Sequence, residues 1–249
     1  MATTTIMAID FQALTFEYRR SPDQDGHQDA PAPPHPVVVI GAGPVGLATA
    51  IDIAQQGTPV VLLDDDHTLS SGSRAICFAK RTLEIFDRLG CGEPMVAKGV
   101  SWNVGKVFLR NELLYAFDLL PEADHARPAF INLQQYYVEG YLAERARELP
   151  LLDVRWHNKV TGITQSDECV LLQIETPDGP YTLRARYVVA ADGARGFADG
   201  FDFDAGNLRN RSGEKLVLHF AGDGDFIFQP LTLLLLLDQS AYRTDHVVE

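Results

Sequence analysis

Cysteine is scarce in this chain. Cys77, Cys91 and Cys169 are odd in number and none sits in a CxxC pair, so neither a disulfide framework nor a thiolate zinc site is indicated. A reducing, cytoplasmic compartment is the simplest expectation. Long apolar runs are also missing. The longest, Leu231 to Leu237 with Thr232 inside it, falls far short of the ~20 residues that a membrane span needs, so no membrane association is expected. Basic charge is in deficit, with a net charge of −13, which argues against nucleic acid or an anionic membrane as main partner. The N-terminus, MATTTIMAIDFQ, lacks the basic and then apolar pattern of a secretory signal. The seven histidines are scattered. With no Ser-His-Asp, paired-carboxylate or metal-ligand spacing, no metal is expected and no catalytic residue is assigned.

What is present is an ordinary globular composition, 46% hydrophobic and 22% charged over 249 residues. That is enough for one α/β domain with a sizeable core, or a large domain with a small appendage. Residues 1–36 read as a tail or linker. Pro31, Pro33, Pro34 and Pro36 block a helix, and Phe11, Leu14 and Phe16 either dock on the domain or belong to a disordered tail. Val37 to Ile40 is a wholly apolar, β-branched run that suits a strand buried on both faces. Pro44 to Gln56 has helical spacing and stops at Gly57. Pro59 to Leu63 is a second apolar strand, followed by Asp64, Asp65 and Asp66. This is one βαβ unit. Further on, Lys80 to Leu89 and Gln135 to Leu149 read as helices. Val104 to Phe117, Val154 to Val160, Cys169 to Ile174 and Tyr181 to Ala190 read as strands, and Ser70 to Ser73 as a loop. Thr176-Pro177-Asp178-Gly179 predicts an antiparallel hairpin.

The chemistry-bearing motif is Gly41-Ala42-Gly43-Pro44-Val45-Gly46. Its first glycine allows a tight turn off the strand, the second lets a pyrophosphate approach the backbone, and the third lets the helix pack closely. The helix N-terminus offers unpaired N–H groups and a positive dipole end. Asp64 lies 23 residues after Gly41, close to the spacing of a ribose-binding carboxylate of about 20 residues. A carboxylate there accepts from ribose hydroxyls and repels a 2′-phosphate, which favours FAD or NAD over NADP at this site. The bland alternative is a glycine turn that merely packs a helix on a strand.

Several segments separate FAD from NAD. Ser71-Gly-Ser-Arg74-Ala75, then Arg81 to Gly90, Leu133-Gln-Gln135-Tyr-Tyr-Val-Glu139, and Tyr187-Val-Val-Ala-Ala-Asp192-Gly193-Ala194-Arg195 together resemble the class A flavoprotein monooxygenases. These are the single-component aromatic hydroxylases of the phenol hydroxylase and 3-(3-hydroxyphenyl)propionate hydroxylase kind. The resemblance runs in the family's order over about residues 37–195. It implies a Rossmann-like, glutathione-reductase-like α/β FAD-binding fold with a reduced antiparallel β second region. It implies that Gly41, Gly43, Pro44 and Gly46 hold the FAD pyrophosphate, Asp64 the adenosine ribose, and Arg74 the flavin and phosphates. Gln135 would lie near the flavin, and Asp192 with Gly193 would order the pyrophosphate region where NADH or NADPH docks. The activity implied is hydroxylation of a small phenolic substrate by O2 through a flavin C4a-hydroperoxide. Taken singly, Arg74 reads equally as a loop cation, Gln135 as a helix N-terminal residue and Asp192 as a turn residue before glycine.

After Arg195 the resemblance weakens. Only 54 residues follow, and Phe220-Ala221-Gly222-Asp223 resembles a degraded form of the family's second FAD motif, or else is a polar loop. The expected organisation is a tail over 1–36, an FAD-binding domain with an inserted β-hairpin region over 37–195, and a shortened C-terminal region over 196–249. Two other readings stay open: a non-catalytic or vestigial flavin-binding module, and an NAD-dependent dehydrogenase. Self-association as a homo-oligomer is open as well.

Overall fold

The computed structural model describes residues 11, 14–25, 33–69, 75–166, 168–193 and, for the backbone alone, 217–219. The expected loop at Ser70–Ser73, together with Arg74, Arg195, Asp223 and the Leu231–Leu237 run, lies outside the described residues.

The central sheet begins with β1 (His35–Ile40), which leads through the glycine turn into α1 (Pro44–Gln55) and returns as β2 (Val60–Leu63). β1 and β2 pair in parallel, Val38 facing Val61 and Ile40 facing Leu63. Beyond β2 lies β8 (Leu152–Arg155), also parallel, and on the other side of β1 lies β11 (Tyr181–Ala190). The order is β8-β2-β1-β11-β10-β9, where β9 (Lys159–Gln165) and β10 (Val170–Glu175) are antiparallel. β11 is long enough to serve two partners on one edge. Its first half pairs with β10, and its last three residues pair in parallel with β12 (Val217–His219).

Because β1 and β2 are apolar at every position from Val37 and Val60 onward, alternate residues bury on opposite faces. Val37, Val39, Val60 and Leu62 join one cluster with α1, α2 (Lys80–Leu89) and α4 (Gln135–Arg147). Val38, Ile40, Val61 and Leu63 join a second with the inward residues of β9, β10 and β11. The parallel core is thus sandwiched between helices and a β-meander.

A second, smaller region inserts between β2 and α4. β3 (Cys77–Ala79), β7 (Phe130–Asn132) and β4 (Val100–Trp102) form a three-stranded antiparallel sheet in the order β3-β7-β4. α2 ends at Gly90 in the left-handed conformation, and α3 (Gly92–Lys98) follows. β5 (Val104–Leu109) and β6 (Glu112–Asp118) form a hairpin that exposes Phe108, Leu109, Leu114 and Tyr115.

Two sequence expectations need correction. The expected strand Val154–Val160 is two strands, β8 and β9, parted by a turn in which His157 has φ +57° and the Asn158 side-chain Nδ2 donates to the Trp156 carbonyl at 2.8 Å. Asparagine turn chemistry outweighs the alternating pattern there. The tail reading also fails for residues 14–25, which are docked; the alternative in which Phe11, Leu14 and Phe16 pack on the domain holds. Phe11 is fully buried against Tyr137 and Tyr141 of α4, edge-to-face with ring centroids 6.0 and 5.0 Å away. It fits because position 140 is glycine: a Cβ there would lie 2.3 Å from the ring. Phe16 stacks on Trp156 at 3.9 Å, and Asp23 meets the buried guanidinium of Arg155 at 2.7 Å. His35 and Arg155 hold the Asp23 carboxyl down at about 2.

Candidate functional site

The glycine turn sits where three strands end together. The Gly41 amide donates to the Leu63 carbonyl of β2 at 2.7 Å, and the Ala191 amide, just past β11, donates to the Ile40 carbonyl of β1 at 2.7 Å. The two motifs, 150 residues apart in sequence, are therefore in backbone contact. Gly41 has φ +96°, and a Cβ there would lie 2.5 Å from the Ala191 carbonyl oxygen and 2.7 Å from the Asp192 Cα. Gly46 is tighter still, since its Cβ would fall 1.7 Å from the Gly41 carbonyl oxygen. Both glycines are demanded by the protein's own packing.

Gly43 differs. Its backbone is extended, φ −68° and ψ −179°, which any residue adopts, and a Cβ there would meet no atom of the described residues within 4 Å. Nothing among the described residues requires glycine here. The free space lies at the N-cap of α1, where no side chain caps the helix and Pro44 occupies the first turn. A twelve-residue helix whose first amides are left without a side-chain partner favours an anion, and a phosphate can approach the Gly43 backbone directly. This cradle fits a dinucleotide pyrophosphate.

Asp64 stands at the end of β2 beside the turn. One carboxylate oxygen accepts from the Ala42 amide and the other from the Asp66 amide at 2.8 Å. Loss of water around the half-buried group raises its pKa to about 6, against the pull of those two amides, and the neighbouring charges of Asp65 and Asp66 push the same way. The Asp64 carbonyl accepts from the Asn158 amide at 2.7 Å, and the Asp66 carbonyl from the His157 amide at 3.2 Å. The β8–β9 turn thereby holds the acidic loop.

Asp192 and Gly193 continue from β11 beside Gly41, and Gly193 has φ +82°, with none of the described residues within 4 Å of where its Cβ would lie. Gln135 belongs to a different element. It is the first residue of α4, buried, and its Nε2 donates to the buried Glu139 carboxylate at 2.7 Å. The structure therefore gathers Gly41, Gly43, Pro44, Gly46, Asp64, Asp192 and Gly193 around one turn. Arg74 and Asp223 lie outside the described residues. Sequence reasoning missed the Ala42 amide, Ala191 and the turn at His157–Asn158; of these only Asn158 carried a local signal, as a turn former.

The FAD binding domain family matches residues 35–201, the span that holds the glycine turn, Asp64, Gln135 and Asp192–Gly193. The chain belongs to that family. Within it, the chain is 29% identical over 209 residues to para-nitrophenol 4-monooxygenase of Pseudomonas sp. strain WBC-3, covering 78% of this chain and 51% of the relative. It is 32% identical over 185 residues to a probable NADH-specific resorcinol 4-hydroxylase of Rhodococcus jostii strain RHA1, covering 70% and 34%. The crystal structure of p-nitrophenol 4-monooxygenase from Pseudomonas putida DLL-E4 superimposes with a TM-score of 0.63 at 33% identity, over 67% of this chain and 43% of that one. The chain spans about half the length, or less, of these relatives. The Rossmann-like FAD fold expected from the sequence is the one the structure has, and the resemblance to flavoprotein aromatic hydroxylases is shared by these FAD-binding domain relatives. The docked residues 11 and 14–25 precede the family match.

Two outcomes are expected from this geometry. Gly46→Ala forces a methyl into the Gly41 carbonyl and should cost more than about 3 kcal/mol of stability, whereas Gly43→Val should cost less than about 1 kcal/mol in the cofactor-free protein. Urea unfolding of both variants checks this; equal losses would contradict it. For Asp64, a folded pKa raised from 3.8 to about 6 means a contribution that is fully present below about pH 4 and is lost as pH rises through 6. Cofactor-free wild type should therefore lose stability relative to Asp64→Asn between those values, by roughly 1–3 kcal/mol. A pH-independent difference, measured by thermal unfolding, would refute it.

Proposed function

We propose that this chain is an FAD-binding, NADH-dependent hydroxylase of phenolic rings. The observation that carries the reading is the cradle at Gly43, open to a ligand and flanked by Asp64 on one side and Asp192–Gly193 on the other. In this reading the backbone of Gly41 to Gly46 and the N-terminus of α1, which begins with Pro44, bind the pyrophosphate. Asp64 accepts hydrogen bonds from the adenosine ribose, with the lone pairs left after Ala42 and Asp66 are served. Ribose donors favour the ionised carboxylate, so Asp64 binds best above its pKa of about 6. Asp192 and Gly193 shape the wall beside the pyrophosphate, and Gln135 lies toward the flavin.

When bound, FAD supplies the redox chemistry that couples a nicotinamide to O2. The reaction balances as NADH, H⁺, O2 and a phenol giving NAD⁺, water and the ring-hydroxylated phenol. The protein's task is to hold the cofactor, orient the ring and keep water out. NADH as donor and a phenol as substrate rest on the relatives named for NADH-specific resorcinol hydroxylation and p-nitrophenol monooxygenation. Among the described residues no helix is long and apolar enough to cross a membrane. A cytoplasmic site of action suits the reducing donor.

The test supplies the chain with FAD, NADH and O2, and with 4-nitrophenol or resorcinol in turn. Hydroxylated product is expected at close to one per NADH consumed. NADH oxidation that yields hydrogen peroxide alone, or no oxidation at all, would contradict the hydroxylase reading and leave a flavin-binding module.

A further inference from the structure

Of the residues that precede the family match, Phe11 and residues 14–25 form a strap, and its middle touches the acidic loop. Thr15 makes an antiparallel bridge with Thr68, and the Phe16 amide donates to the His67 carbonyl at 2.7 Å. Phe16 stacks on Trp156, the residue before the β8–β9 turn that holds the loop from its other side through His157 and Asn158. His67 and His157 themselves stack at 4.9 Å with their planes 14° apart. The strap is fixed at both ends, by Phe11 in the α4 surface and by Asp23 on Arg155, and Tyr18 and Arg20 add contacts to Asp178.

The loop needs such support. Asp64, Asp65 and Asp66 bring carboxylate oxygens within 4.8 Å of one another, and Asp65, Asp66 and His67 are exposed. Three adjacent negative charges repel and favour an open chain. Between β2 and Leu69 the loop buries little apolar surface of its own. Its order comes from the β8–β9 turn on one flank and from Thr15 and Phe16 on the other.

We infer that the N-terminal strap, through Thr15 and Phe16, is a positioning element for the adenosine half of FAD. It fixes the downstream end of the loop whose first residue, Asp64, faces the ribose. This rests on the FAD reading above. A loop already ordered spares the ligand the entropy of ordering it. The effect should fall on the adenosine side, because the contacts of Thr15 and Phe16 reach the Asp64 loop and Trp156 beside it, and among the described residues the strap makes no hydrogen bond to the glycine turn.

The experiment compares three forms of the full chain: wild type, Phe16→Pro and Met95→Ala. Phe16→Pro removes both the amide donor and the ring. Met95 is buried in α3, an element with no hydrogen bond to the strap among the described residues, and controls for lost stability. Dissociation constants are measured for FAD and for ADP, which carries the adenosine half alone, at a temperature where all three are folded. Phe16→Pro is expected to weaken FAD and ADP alike by about tenfold, with the absorption spectrum of the bound flavin unchanged, while Met95→Ala stays within about twofold of wild type. Affinities of Phe16→Pro within twofold of wild type would overturn the proposal, as would an equal loss in Met95→Ala. If wild type binds neither FAD nor ADP, the FAD reading itself fails.

Discussion

The structure turns on one close approach. The glycine turn is so tight that neither Gly41 nor Gly46 has room for a Cβ, the first because the end of β11 crosses it at Ala191 and Asp192, the second because of the turn's own Gly41 carbonyl. This contact sets the height of α1 over the sheet and brings Asp192 and Gly193 to the turn. It also leaves the Gly43 backbone facing open space. The same residue type thus answers two demands in one motif. Two glycines satisfy the protein, and the third leaves room for a ligand. A turn that merely packed a helix on a strand would need the first two and not the third.

Charge supplies the second constraint. The site combines an anion-attracting helix end with an acidic loop, and the two meet where the Ala42 amide reaches Asp64. Burial of that carboxylate costs stability at neutral pH, as expected where a group is kept for binding and not for folding. The docked N-terminal strap lies against this loop, so a segment outside the family's domain acts on the most acidic part of the site.

Legibility followed the range of the interactions. The βαβ unit could be read because its signals are local: β-branched runs, helical spacing closed by Gly57, and carboxylates at the strand end. Lys80 to Leu89 was legible to the residue because its apolar face is strongly periodic and Gly90 closes it with a positive φ. The three-residue strands β3, β4 and β7 have no period to detect, and α3 is only seven residues long. The strap was ambiguous because its anchors are remote: nothing near Phe11 announces that Gly140 makes space for it. In the site, residue types and spacing named Gly41, Gly43, Gly46 and Asp64, and resemblance named Asp192, but the contact of Gly41 with Ala191 is tertiary. Gln135 was named by resemblance, and its bond to Glu139 emerged only from the helix geometry.

The most direct measurement of the central claim is the flavin content of purified wild type and Gly43→Val, read from the absorption spectrum of cofactor released after reconstitution with FAD. Wild type is expected to hold about one FAD per chain and the variant almost none, with both cooperatively folded. Stoichiometric flavin in folded Gly43→Val, or no flavin in wild type, would contradict it.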